Sequence, residues 1–232
     1  HPPDPDPARR PQWLHFDERF AHSYVLGGER APRDAGRVLD YLGTRADVNP
    51  AKIGWLGSSS TGIPGLSVAV RDHRLAAIVA FVSTGAYRHW LATWRTNGLW
   101  QGNTPGLWPE TEALLPRVDP ILSVSNLYPC AVLMVSGGED KVADPATARA
   151  FAQAARPFYK DDPARLRLLV YEGITHNLPL DCVQEHAEHW FRLYLHPSRN
   201  PPAPEGRPAN LNESARRTQI NAADHRDVTK AR

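Results

Sequence analysis

A chain of 232 residues that is 41% hydrophobic and 22% charged has the make-up of one ordinary globular domain with a sizeable core, which excludes a disordered or fibrous protein. A formal net charge of +2 gives no electrostatic ground for a nucleic-acid or membrane partner. No apolar stretch is long enough to span a bilayer or to form the core of a signal peptide.

In chain order, His1-Pro2-Pro3-Asp4-Pro5-Asp6-Pro7 spaces its prolines too closely for a helix, and residues 1–31 are read as an extended segment. Apolar spacing at Ala35, Val38, Leu39 and Leu42 predicts a helix over 32–43, followed by a strand over 53–56, a helix over 63–71 and a strand over 76–82. Residues 85–126 break the alternation. Beyond them a strand is expected over 131–135, a helix over 145–155, a strand over 166–171 and a helix over 180–195. Alternation of this kind predicts an α/β domain over 32–196 with a mostly parallel sheet covered on both faces. Residues 197–232, rich in Pro, Asn, Ala and charge, read as a disordered tail. The sequence holds no internal repeat.

The strand over 53–56 runs into Gly57-Ser58-Ser59-Ser60-Thr61-Gly62 before the next helix begins, so the hydroxyls occupy a tight strand-to-helix turn. A serine presented there faces the free N–H groups of the new helix. Against the pattern G-x-S-x-G, Gly57 makes Ser59 the nucleophile but puts Thr61 where the second glycine belongs. Ser60 as nucleophile recovers Gly62 and puts Ser58 in the first glycine's place. A glycine directly after the strand is what the sharp turn most needs, which favours Ser59. The competing reading is a Gly/Ser loop that caps a helix or grips a phosphate.

Two further strands end at groups that complete a catalytic set. The strand over 131–135 leads through Gly137-Gly138-Glu139 to Asp140, and the strand over 166–171 leads through Gly173 to His176. In that arrangement Ser59 is a weak nucleophile until His176 takes its proton, Asp140 orients and stabilises the imidazole, and the backbone N–H of Ser60 supplies one oxyanion donor.

With serine, acid and histidine in this order the chain resembles bacterial α/β-hydrolases, most nearly acetyl xylan esterase-like and dienelactone hydrolase-like proteins. Residues 33–42, 47–54 and 57–62 look like that family's helix, turn and nucleophile strand, and Gly137 to Asp140 with Thr175-His176 look like its acid and histidine loops. The resemblance spans about 33–195 and departs from the family at Thr61. It implies an α/β-hydrolase fold and hydrolysis of small-molecule carboxylic esters through an acyl-enzyme, with no cofactor and no metal. A peptidase or lactonase on the same fold, or a catalytically silent binding domain, remains open.

Residues 85–126 are read as a helical cap insertion, and their aromatics Tyr87, Trp90, Trp94, Trp100 and Trp108 either line a substrate pocket or pack the cap onto the domain. Asp144 and Asp119 rival Asp140 as the acid, although Asp144-Pro145 has the look of a helix start. His186 and His189, with Glu185 and Glu188, sit at helical spacing and read as a solvated face rather than a metal site. Cys130 and Cys182 allow one disulfide, but they fall toward opposite ends of the strands, and neither stands at a strand-to-helix turn. The chain begins at His1, its only methionine is Met134, and 58 residues precede Ser59. That predicts a fragment or processed product lacking strands upstream of the nucleophile, and with them a second oxyanion donor.

Overall fold

The Asp17 carboxylate accepts a hydrogen bond from the Phe20 N–H at 2.8 Å and so starts helix α1, which runs over Glu18–Gly43. The computed structural model describes residues 15–104 and 106–196; the expected extended stretch before 15 and the expected tail 197–232 lie outside the described residues. From Glu18 to Ala31 the chain is helical, which corrects the extended reading of 1–31. Ala21, Val25 and Gly28 recur at helical spacing and are buried, and tertiary packing of such a face outweighs local propensity. Pro32 therefore lies inside the helix instead of opening it, at the loss of one backbone N–H.

Four parallel strands form one sheet among the described residues, in the order β1 (Ile53–Ser58), β2 (Leu75–Phe81), β3 (Ala131–Gly137) and β4 (Leu166–Tyr171). Strand alternation divides the core. Ile78, Ala80, Val132 and Met134 face Leu66 of α2 (Gly62–Ala69) and Phe151 of α5 (Pro145–Ala155), whereas Ala77, Val79, Leu133 and Val135 face Trp190 of α6 (Leu180–Leu195). Both faces are thus covered, the usual condition of a parallel sheet. β1 forms one edge, and its Leu56 is 52% exposed. No strand precedes it among the described residues. The C-terminal ends of β1, β3 and β4 lie along one edge of the sheet, where ligands of open α/β sheets bind.

The segment 85–126 is helical, with α3 over Tyr87–Thr96 and α4 over Pro109–Val118. It packs on the first half of α1 in a separate core cluster that joins Phe16, Ala21 and Val25 to Trp90, Trp94 and Leu115. Asp119, one of the rival acids, has a structural task here. Its carboxylate accepts the Tyr87 and Arg88 N–H groups at 2.8 and 3.0 Å, capping α3 from outside that helix. Burial pushes its carboxyl pKa up, while those backbone bonds pull it down. Asp119→Ala leaves the buried Tyr87 N–H unsatisfied and is expected to destabilise the domain by about 1–3 kcal/mol, read as a lower urea midpoint. An unchanged midpoint would show that α3 needs no cap from this side chain.

Candidate active site

Ser59 stands directly after β1 with φ of 51°, in the left-handed region that a side chain rarely adopts. Strain of this kind costs about 1–3 kcal/mol and persists only where the surroundings enforce it. They do so here through close backbone packing. A Cβ on Gly57 would lie 2.4 Å from the Thr61 carbonyl oxygen, and one on Gly62 would lie 2.1 Å from Ser83 Oγ. Ser83, just beyond β2, donates to the Phe81 carbonyl at 2.6 Å and to the Ser59 carbonyl at 3.3 Å.

The departure at Thr61 has a physical account. Its Oγ1 accepts from the Ser58 N–H and donates to the Ser58 carbonyl, each at 2.9 Å, and its own carbonyl accepts the Trp55 indole N–H at 3.0 Å. Thr61 has φ of −101°, so no glycine is required there, and the close approach falls one residue later at Gly62. Threonine locks the turn that a glycine would only permit.

The acid and histidine loops are built against each other. Gly138 N–H donates to the Tyr171 carbonyl at 2.8 Å and Glu139 N–H to the Ile174 carbonyl at 2.9 Å. A Cβ on Gly137 would meet the Thr175 carbonyl oxygen at 2.2 Å and one on Gly138 would meet the Glu172 Cα at 3.0 Å, so both glycines allow the close approach. At the end of this packing His176 Nδ1 lies 2.8 Å from Asp140 Oδ2, and His176 Nε2 lies 2.9 Å from Ser59 Oγ. The Asp140 side chain is fully buried and that of His176 is 27% exposed, so the acid is shielded from water while the imidazole can reach a ligand. Asp140 Oδ1 accepts the Val142 and Ala143 N–H groups at 2.8 and 2.9 Å, which fixes the carboxylate plane.

The structure therefore brings Ser59, Asp140 and His176 into one hydrogen-bonded chain and leaves the other candidates elsewhere. Ser60 is the next residue along the turn and exposed, with its side chain beside the Tyr24 hydroxyl. Asp144 caps α5 by accepting the Ala146 N–H at 2.9 Å, as its Asp-Pro context anticipates. His186 is half-buried with Nε2 2.7 Å from the Tyr171 hydroxyl, so it faces β4, and the solvated-face reading is corrected for this residue. Cys130 and Cys182 are both free and buried, and burial pushes their thiols up to about 12 and about 11.

The aromatic pocket reading is corrected for the four tryptophans, whereas Tyr87, though buried, borders the cavity on the Ser60 side. Tyr87, Trp90 and Trp94 are buried in the core between α1 and α3. The Trp90 indole donates to the Val142 carbonyl at 2.6 Å, Arg95 lies over the Trp100 ring at 4.0 Å, and Trp108 stacks beside His22 at 5.7 Å. Large rings that can bury against a helix do so, and none of the four tryptophans borders the two cavities that reach His176 and Ser60. Among the described residues those cavities measure about 670 Å³ on the His176 side and about 420 Å³ on the Ser60 side. Tyr24 and Gly27 of α1 border the second, and the sequence reading missed both by taking their helix for extended chain.

No family model and no curated protein sequence matches the chain. Solved structures do. It is similar to a puromycin-hydrolyzing peptidase of Mycobacterium tuberculosis at 20% identity and a TM-score of 0.54, over 71% of this chain and 25% of that one. It is similar to TT1662 from Thermus thermophilus at 20% identity and 0.51, over 71% and 62%, and to Porphyromonas gingivalis dipeptidyl peptidase 4 at 20% and 0.52, over 69% and 22%. The chain thus spans about a quarter of the two peptidases and less than two thirds of TT1662. With four parallel strands in sequential order, helices on both faces and a strained serine at the end of β1, the chain has the α/β-hydrolase fold.

Proposed function

We propose that the protein is a serine hydrolase that cleaves carboxylic esters through an acyl-enzyme. The observation that carries this reading is the contact chain from Ser59 Oγ through His176 to Asp140. Ser59 Oγ attacks the ester carbonyl carbon as His176 Nε2 takes its proton, and Asp140 stabilises the imidazolium. The carbonyl oxygen becomes an oxyanion for which the Ser60 N–H, at the helix start, is the assigned donor. The intermediate collapses as His176 returns the proton to the departing alcohol. Water, deprotonated by the same imidazole, then attacks the acyl carbon and frees Ser59.

Two of the structural neighbours are named as peptidases, and the same triad cleaves amides, so a peptidase is the second reading. One comparison separates them. The ester reading expects labelling of Ser59 by a fluorophosphonate and turnover of p-nitrophenyl acetate well above that of an aminoacyl p-nitroanilide. Faster turnover of the anilide favours the peptidase. Absence of both labelling and turnover identifies a silent binding domain.

A further inference from the structure

We infer that the groove between α1 and the serine turn is the acyl subsite, and that it takes a medium-length aliphatic acyl chain, while the leaving group lies in the larger cavity beside His176. This rests on the ester-hydrolase reading and extends it to a substrate class.

The assignment of sides follows from the chemistry of the triad. His176 Nε2 must hand its proton to the leaving oxygen, so that group has to lie within hydrogen-bond reach of the imidazole. Among the described residues, the cavity of about 670 Å³ borders His176 and the groove of about 420 Å³ does not. The acyl substituent leaves the carbonyl carbon in another direction, and the space there is the groove of about 420 Å³ that begins at Ser60. Both volumes fall in the range of small-molecule sites.

The two linings differ in degree, and both include charged groups. Phe20 and Tyr24 pack edge to face at 4.9 Å on one wall of the groove, with Ile63 and Tyr87 on the other. Ser23, Arg30 and Asp34 line the groove as well, the last two on turns of α1 beyond Tyr24 and Gly27, so its apolar stretch is bounded in length. The His176 side presents Glu139, Lys141, Asp144 and Asn97, which suits a polar alcohol.

Gly27 is the independent sign that the groove is kept open. Two adjacent glycines lie inside α1, where glycine is destabilising relative to alanine. Gly28 has a packing reason, because its Cβ would lie 2.5 Å from the Tyr87 ring. Gly27 has none: a Cβ there meets nothing within 4 Å, and the residue lines the groove. A larger side chain at 27 would project into the space assigned to the acyl chain.

The experiment compares kcat/KM for p-nitrophenyl acetate, butanoate and hexanoate. A fully buried methylene is worth roughly fourfold, so partial burial in the groove predicts a hexanoate-to-acetate ratio of about ten or more. Gly27→Leu is expected to lower that ratio by about tenfold. Gly27→Ala, which favours the helix, is expected to lower it by about twofold and keeps the comparison available should leucine disturb folding. A wild-type ratio near one, or a ratio that neither variant changes, overturns the assignment while leaving the hydrolase reading standing. No turnover of any ester and no fluorophosphonate labelling overturns both.

Discussion

Ser59→Ala is expected to lower kcat by at least about a thousandfold with the fold intact, because it deletes the oxygen that lies 2.9 Å from His176 Nε2. Alanine meets the same left-handed backbone that serine does at φ of 51°, so it neither relieves nor adds strain. The urea midpoint should therefore stay close to that of the wild type, and the loss should appear in kcat rather than KM on p-nitrophenyl acetate. Ser60→Ala should cost far less, since His176 Nε2 pairs with Ser59 Oγ and the assigned catalytic group of Ser60 is the backbone N–H, which alanine keeps. Full activity in Ser59→Ala, or an equal loss in Ser60→Ala without misfolding, would transfer the nucleophile to Ser60.

Asp140→Asn should cost about ten-thousandfold in kcat, the scale known for the equivalent change in a serine-protease triad. The argument here comes from the bonds of this carboxylate. Oδ1 accepts two backbone N–H groups and Oδ2 accepts from His176 Nδ1, so every neighbour is a donor. Asparagine carries an NH₂ group that must face either the two backbone donors or the imidazole. Facing the imidazole, it forces the tautomer with Nδ1 unprotonated and places the proton on Nε2, where it can no longer accept from Ser59. Facing the backbone, it leaves buried donors unpaired and displaces the loop. Asp144→Asn serves as the comparison, because that acid caps α5 and does not touch His176. If Asp140→Asn keeps more than about a tenth of the wild-type rate, the acid of the site is another residue.

Much of the sheet was legible in advance. β4, α5 and α6 fall on the expected residues, and β1, β2 and β3 differ from expectation only at their ends. An apolar run closed by glycine is a local signal, and backbone groups pair the same way whatever lies far along the chain. The turn after β1 was legible for the same reason, since a sharp reversal needs small residues at fixed offsets. The first half of α1 was not. Pro32 is a strong stop in an isolated segment, but the buried contacts of Ala21 and Val25 with α3 and α4 override it, and those partners lie far downstream.

Residue types and their chain order therefore announce a serine, an acid and a histidine at the ends of successive strands, because those signals span a few residues each. Which hydroxyl faces the imidazole depends on contacts between residues 117 apart, and which acid supports it on contacts between residues 36 apart. Only folded packing sets such distances. The fate of the aromatics is of the same kind: composition shows that residues 85–126 are rich in tryptophan, but a ring lines a pocket or fills a core according to whether another element arrives to cover it. Here α1 covers Trp90 and Trp94, and the open groove falls instead beside Gly27, where a side chain is absent.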